Sequence, residues 1–277
     1  MIIQNWIRTL SLLLTLVASS MTIAQEKKVS DSSPQVETDP VKLFEPRQYA
    51  GADGKVLNYR LLKPKDFIPT GNYPLVIFLH GAGERGDDNK AQLVHGMKEF
   101  CKPEWREKFK CYVLAPQCPK DQKWADIDWS QPGVQLPEKI SSNLELTLQV
   151  VDQMLEGTAV DKTRIYITGL SMGGYGTWDA LVRRPNFFAA AMPICGGGDP
   201  ATAAKIKHIP IACFHGSKDT AVTPDKSRKM IEALRATGGT PVYVEYEGVG
   251  HDSWTQTYKE ADNIQWLFDQ RREATAP

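Results

Sequence analysis

The order of apolar runs and amphipathic segments predicts an α/β fold, with a mostly parallel central sheet flanked by helices on both faces. Three observations predict it. Strand-like and helix-like segments alternate along most of the chain. Several strand-like runs, Leu75-Val76-Ile77-Phe78-Leu79 the clearest, are apolar without interruption, as strands covered on both faces are. The segment 140–155 places Ile140, Leu144, Leu148, Val151 and Leu155 at the spacing of one buried helical face.

The N-terminus stands apart from this pattern. Residues 1–9 carry Arg8 and no acid, residues 10–18 form a short apolar run, and Thr22-Ile23-Ala24 offers a small-x-small cleavage site. Residues 1–24 read as a secretory signal peptide, with export to the periplasm or the medium as its consequence. The run is too short for a comfortable membrane span, so no stable membrane anchor is expected after cleavage. Residues 25–40 are polar and poor in apolar side chains, which predicts a disordered leader. Residues 41–277 form the folded domain.

In this domain the predicted strands cover 57–62, 75–79, 112–115, 165–168, 189–194, 211–214 and 242–246. Helices are expected over 140–155, 175–184, 226–236 and 256–271. The stretch 117–137 breaks the rhythm with Trp124, Trp129 and several prolines. A long irregular loop in a compact domain is often functional. It reads either as one wall of a pocket, with Trp254 opposite, or as a loop pinned to the body by its aromatics.

Composition narrows the functional classes. Of 277 residues, 42% are hydrophobic, enough for a full core, and 33 basic residues balance 33 acidic ones. That balance gives no basic stripe for nucleic acid. The cysteines are Cys101, Cys111, Cys118, Cys195 and Cys213. Cys195 and Cys213 fall in predicted core strands, so any disulfide of an exported chain should involve Cys101, Cys111 or Cys118. Their spacing matches no zinc site, and no metal is expected.

Chemistry concentrates at Gly169-Leu170-Ser171-Met172-Gly173, between a strand-like run and a helix-like segment. Strand, Gly-x-Ser-x-Gly and helix together make a nucleophile elbow. The turn is so tight that residues two before and two after the serine must lack side chains. A serine needs a base, and the base needs an acid to fix its tautomer. His251, in a glycine-rich loop after the strand 242–246, is the best base. His208 precedes a strand at the wrong end, and His215 reads as a packed turn residue. Asp219, on the loop after the strand 211–214, is the best acid. Asp225 reads as an early helical acid, and Asp252 is too close in sequence to His251. An oxyanion needs two backbone N–H groups. Met172 supplies one, and the turn His80-Gly81-Ala82-Gly83-Glu84-Arg85-Gly86 supplies the other through Ala82. His80 reads as structural, and Glu84 and Arg85 are either paired or solvated.

With these residues assembled, the chain resembles the α/β-hydrolase superfamily. More narrowly it is similar to secreted serine esterases of the polyhydroxybutyrate-depolymerase-like, feruloyl-esterase-like and phospholipase/carboxylesterase kind. The likeness rests on 80–84, 169–178, the loop from His215 to Asp219, and Gly250-His251-Asp252-Ser253-Trp254. It implies ester hydrolysis without a cofactor, with Ser171, Asp219 and His251 as the triad and Ala82 and Met172 as the oxyanion hole. The implied substrate is a small-molecule or polysaccharide-linked ester, short-chain, acetyl or feruloyl. Trp124, Trp129 and Trp254 are the candidate substrate contacts. Dienelactone hydrolases carry cysteine where this chain has Ser171. The rival readings are a prolyl-oligopeptidase-like peptidase and an inert hydrolase fold used for binding.

Overall fold

The computed structural model describes residues 36–129 and 131–273. The stretch read as a signal peptide, and most of the leader, lie outside the described residues. Asp39 and Pro40, at the leader's end, already belong to the fold: the Asp39 side chain accepts from Val41 N and caps the helix α1, Pro40–Leu43.

The strands are β1 Glu45–Ala50, β2 Val56–Leu62, β3 Tyr73–Leu79, β4 Tyr112–Gln117, β5 Val160–Leu170, β6 Ala190–Ile194, β7 Ala212–Gly216 and β8 Val242–Tyr246. They form one sheet in the order β1-β2-β4-β3-β5-β6-β7-β8. β1 and β2 pair antiparallel, as do β2 and β4, and every other pairing is parallel. The helices after α1 are α2 Met97–Cys101, α3 Pro103–Lys108, α4 Ser142–Gly157, α5 Met172–Arg183, α6 Ala203–Ile206, α7 Asp225–Ala236, α8 Trp254–Lys259 and α9 Ala261–Asp269.

Alternation along the strands divides the core. Leu75, Ile77 and Leu79 of β3 join Leu144, Leu148, Trp178, Leu181 and Met230 on the face covered by α4, α5 and α7. Val76 and Phe78 join Met97, Trp105, Tyr258, Ile264 and Leu267 on the face covered by α2, α3, α8 and α9. Both faces are thus buried, which explains why the central strands carry no polar alternation.

Three expectations change. β1 has no counterpart in the predicted strands, because Glu45-Pro46-Arg47-Gln48-Tyr49-Ala50 is polar and half-exposed at the sheet edge. The single helix expected over 256–271 is broken at Glu260, which is extended at φ −77 and ψ 110. On one continuous helix Tyr258 and Ile264 would point roughly 120° apart. The break lets both reach the sheet, and Asn263 Nδ2 donates across it to Thr257 O at 3.1 Å. Finally, no cysteine is bridged: all five are buried free thiols. Cys101 and Cys111 pack on one face of the sheet and Cys118 on the other. Burial pushes the Cys101, Cys111, Cys118 and Cys213 thiols up to about 12, and Cys195 higher, so none is a ready nucleophile.

Candidate active site

Strand register gathers the candidate residues at one end of the sheet. Leu79 lies opposite Gly169, Leu170 opposite Ile194, Ile194 opposite Phe214, and Gly216 opposite Tyr246. The loops that follow these residues carry Ala82, Ser171, Asp219 and His251. They leave from the carboxyl ends of parallel strands, where open α/β sheets keep their sites.

Ser171 joins β5 to α5 at φ 52 and ψ −115, a left-handed conformation costly for a residue with a Cβ. Close backbone approach explains the flanking glycines. A Cβ on Gly173 would sit 1.8 Å from Leu79 O, and one on Gly169 would sit 2.4 Å from Gly173 O. Because the obstacle at Gly173 is backbone, Gly173→Ala is expected to cost more than about 4 kcal/mol, at the severe end of single substitutions. Urea melts would show it, and an unchanged midpoint would contradict the close approach.

Ser171 Oγ lies 2.9 Å from His251 Nε2, and His251 Nδ1 lies 2.6 Å from Asp219 Oδ2. An ionised carboxylate only accepts, so Nδ1 carries a proton and Nε2 is free to accept from the serine. Asp219 is buried, and its other oxygen accepts from Ala221 N and Val222 N, each at 2.9 Å. Burial alone would raise its pKa. Hydrogen bonds from His215, His251 and Val222 N–H outweigh that and hold the carboxyl well below the usual carboxylate range.

Ala82 opens a 3-10 turn, Ala82–Glu84, and Met172 opens α5. First-turn amides have no acceptor within their own helix, so both N–H groups are available to an incoming oxygen. Arg85 holds the first turn by donating from Nε to Ala82 O at 2.9 Å. It does not pair with Glu84, which instead lies 3.4 Å from His95. His80 underpins the same turn: its Nδ1 lies 2.6 Å from Gly81 O, and its Nε2 accepts from Cys118 N at 2.9 Å.

Burial pulls the His80 imidazole down from 6.5 to about 4. Between those values the unfolded chain binds a proton that the folded chain refuses. The stability contributed by neutral His80 is therefore full above pH 6.5 and is lost as pH falls toward 4, by up to about 3 kcal/mol. Urea midpoints measured over that range should fall in the wild type and fall less in His80→Gln, which keeps a donor and an acceptor. Equal losses would remove His80 as the cause.

The three tryptophans separate. Trp124 is fully buried and donates Nε1–H to His80 O at 3.0 Å, with Ser141 Oγ donating to its carbonyl at 2.6 Å. It pins the long loop to the body, the second of the two readings of this stretch. Trp129 is half-buried and stacked on Tyr175, one helical turn beyond Ser171. Trp254 meets His251 edge-on, with ring centroids 5.2 Å apart, and His95 at 5.3 Å.

The other candidates fall away from the serine. His208 bonds Pro185 O, Asp225 pairs with Arg228, and Asp252 accepts from Thr255 N in the first turn of α8. His215 is a different matter: it is fully buried yet lies 3.2 Å from Asp219 Oδ2. Its spacing of four residues from Asp219, both at the end of one strand, was the available signal. As to metals, Cys195, Asp219 and His251 bring donor atoms within 4.8 Å of one another. His251 and Asp219 are already bonded at 2.6 Å, closer than the roughly 3.3 Å between two ligands of a tetrahedral zinc ion.

Comparison with known proteins gives a consistent set of matches. The sequence pattern of the phospholipase/carboxylesterase family matches residues 70–264. A solved thermostable esterase superposes with a TM-score of 0.79 at 40% identity, over 84% of this chain and 64% of that one. Poly(3-hydroxyalkanoate) depolymerase C of Paucimonas lemoignei is 30% identical over 134 residues, which is 47% of this chain and 30% of the depolymerase. A bifunctional acetylxylan esterase/xylanase of Neocallimastix patriciarum is 38% identical over 88 residues, 31% of this chain and 13% of that protein. The chain thus spans only a minor part of these two relatives.

Proposed function

The chain belongs to the phospholipase/carboxylesterase family and has the α/β-hydrolase fold, and we propose that it hydrolyses carboxylic esters through an acyl-enzyme on Ser171. The observation that carries this reading is the unbroken line Ser171 Oγ–His251 Nε2 and His251 Nδ1–Asp219 Oδ2, at 2.9 and 2.6 Å. Ser171 Oγ attacks the ester carbonyl while His251 Nε2 takes its proton. Asp219 keeps the imidazole in the tautomer that can accept, and stabilises the imidazolium that forms. The oxyanion is held by the N–H groups of Ala82 and Met172, each such donor lowering the barrier by about 3–4 kcal/mol. The imidazolium then protonates the departing alcohol. Water, activated by the same His251, releases the acid and restores Ser171.

Short-chain esters, and acetyl or feruloyl esters carried on polysaccharide, are the proposed substrates. The esterase half of the acetylxylan relative's name and the depolymerase's polyester substrate are compatible with this class. Trp254 and Trp129 are the proposed contacts, since they lie against His251 and against Tyr175. Export is proposed from residues 1–24. Among the described residues no helix is long and apolar enough to cross a membrane.

A fluorophosphonate probe should label the native protein at Ser171 and leave heat-denatured protein unlabelled. Folded protein that resists the probe would favour an inert binding fold. A panel of p-nitrophenyl esters of rising chain length, beside acetylxylan, methyl ferulate and a Pro-p-nitroanilide peptide, identifies the acyl group and separates ester from amide cleavage. Expected is turnover of acetyl to butyryl esters and none of the peptide. The reverse order would place the chain with the peptidases.

A further inference from the structure

We infer that His215 is a positioning residue that shares the Asp219 carboxylate with His251, so that Asp219 is clamped between two imidazoles. The inference rests on the reading of Asp219 as the acid of the triad.

His215 ends β7 and is wholly buried. Its Nε2 lies 2.8 Å from Val222 O and 3.2 Å from Asp219 Oδ2. A carbonyl and an ionised carboxylate both only accept. Nε2 therefore carries a proton, which it donates to Val222 O while lying in charge contact with Asp219 Oδ2. Asp219 Oδ2 thus receives the His251 N–H and faces the His215 ring nitrogen at 3.2 Å, while Oδ1 receives Ala221 N and Val222 N. Both carboxylate oxygens are thus held by donors, with the His215 ring closing the buried side.

The other side of the ring is anchored as firmly. Ser227 Oγ on α7 lies 2.8 Å from both His215 Nδ1 and Gly196 O, and its single proton goes to one of them at a time. Gly196 in turn packs against the first turn of α5, since a Cβ placed on it would lie 2.6 Å from Tyr175 N. The path Ser171–His251–Asp219–His215–Ser227–Gly196 therefore returns to the helix that starts at Ser171. A packed turn residue requires none of this; a hydrophobic ring would fill the same space. The polar ring holds the acid loop, 219–222, in register with the serine elbow, so that the 2.6 Å bond to His251 forms without reorganisation. Misplacement of a catalytic group by about 1 Å can cost about 100-fold.

The test is a double-mutant cycle on ester turnover. His215→Met removes the donor and keeps most of the volume, whereas His215→Gln keeps an N–H near the position of Nε2. Expected is a kcat lowered about 10- to 100-fold in His215→Met, with KM within about twofold, and recovery to within about fivefold of wild type in His215→Gln. In the Asp219→Asn background the same His215→Met change should cost less than about threefold, because the group it acts through is already disabled. A kcat unchanged in both backgrounds, or lowered equally in both, would overturn the inference. Should His215→Met fail to fold, Ser227→Ala takes its place in the cycle with the same criterion. If Asp219→Asn alone left turnover intact, the triad assignment itself would fall, an outcome visible before any His215 variant is made.

Discussion

Ser171→Ala is expected to lower kcat by about a millionfold, the loss found when a serine nucleophile is removed from a working triad. No neighbouring group can substitute. Cys195 lies close behind the site, but burial pushes its thiol far above neutrality, so the thiolate is not available. Ser253 is fully buried. What remains in the variant is substrate binding and the two oxyanion donors acting on a water. Ester turnover above about a tenth of wild type would refute the assignment. A second measurement separates chemistry from folding. Ser171 is held at φ 52, and glycine reaches that region without the Cβ clash. Ser171→Gly should therefore melt higher, by about 1 kcal/mol of stability, while being as inactive as Ser171→Ala. Strain at the elbow and activity would then be shown to reside in one residue. A Ser171→Gly variant both inactive and less stable would mean that the hydroxyl holds the turn.

Much of the architecture could be read from residue order because the central strands are buried on both faces. Leu75 to Leu79 and Ile165 to Ile167 have no solvated side, so their apolar runs are unbroken. Edge elements give no such signal. β1 alternates between half-buried and exposed positions and is paired on one side only, so Glu45, Arg47 and Gln48 resemble a loop. Within the site, local sequence revealed the serine elbow because sterics dictate Gly169 and Gly173. It could not reveal which of three tryptophans faces inward. Trp124 is fixed by His80 and Ser141, 44 and 17 residues away, contacts with no local trace. For His215 the spacing from Asp219 is a local trace, but nothing in the local sequence shows what anchors the far side of the ring. Its partner Ser227 becomes a neighbour only when α7 folds back on β7.

Asp219→Asn is expected to lower kcat by about 10⁴ while leaving KM nearly unchanged. The amide is nearly isosteric, so Oδ1 keeps its bonds from Ala221 N and Val222 N. The change falls on the side that faces His251. An amide nitrogen there presents N–H groups where the carboxylate presented a lone pair. The ring answers by accepting at Nδ1 and carrying its proton on Nε2, which then points an N–H at Ser171 Oγ and cannot take the serine's proton. The same substitution sets a donor against His215 Nε2–H, so a loss of stability should accompany the loss of rate. A pH series separates the two. The Asp219 carboxyl is held below its ordinary value of 3.8, so its contribution to stability is present above that pH and fades as pH falls below it. Wild type should therefore lose this share of its stability only in strong acid, whereas Asp219→Asn lacks it at every pH. Urea midpoints that converge in acid, together with a kcat reduced about 10⁴-fold at neutral pH, are the expected pair. A kcat within tenfold of wild type would mean that His251 finds its tautomer without Asp219. The line of hydrogen bonds from Ser171 would then be packing rather than catalysis.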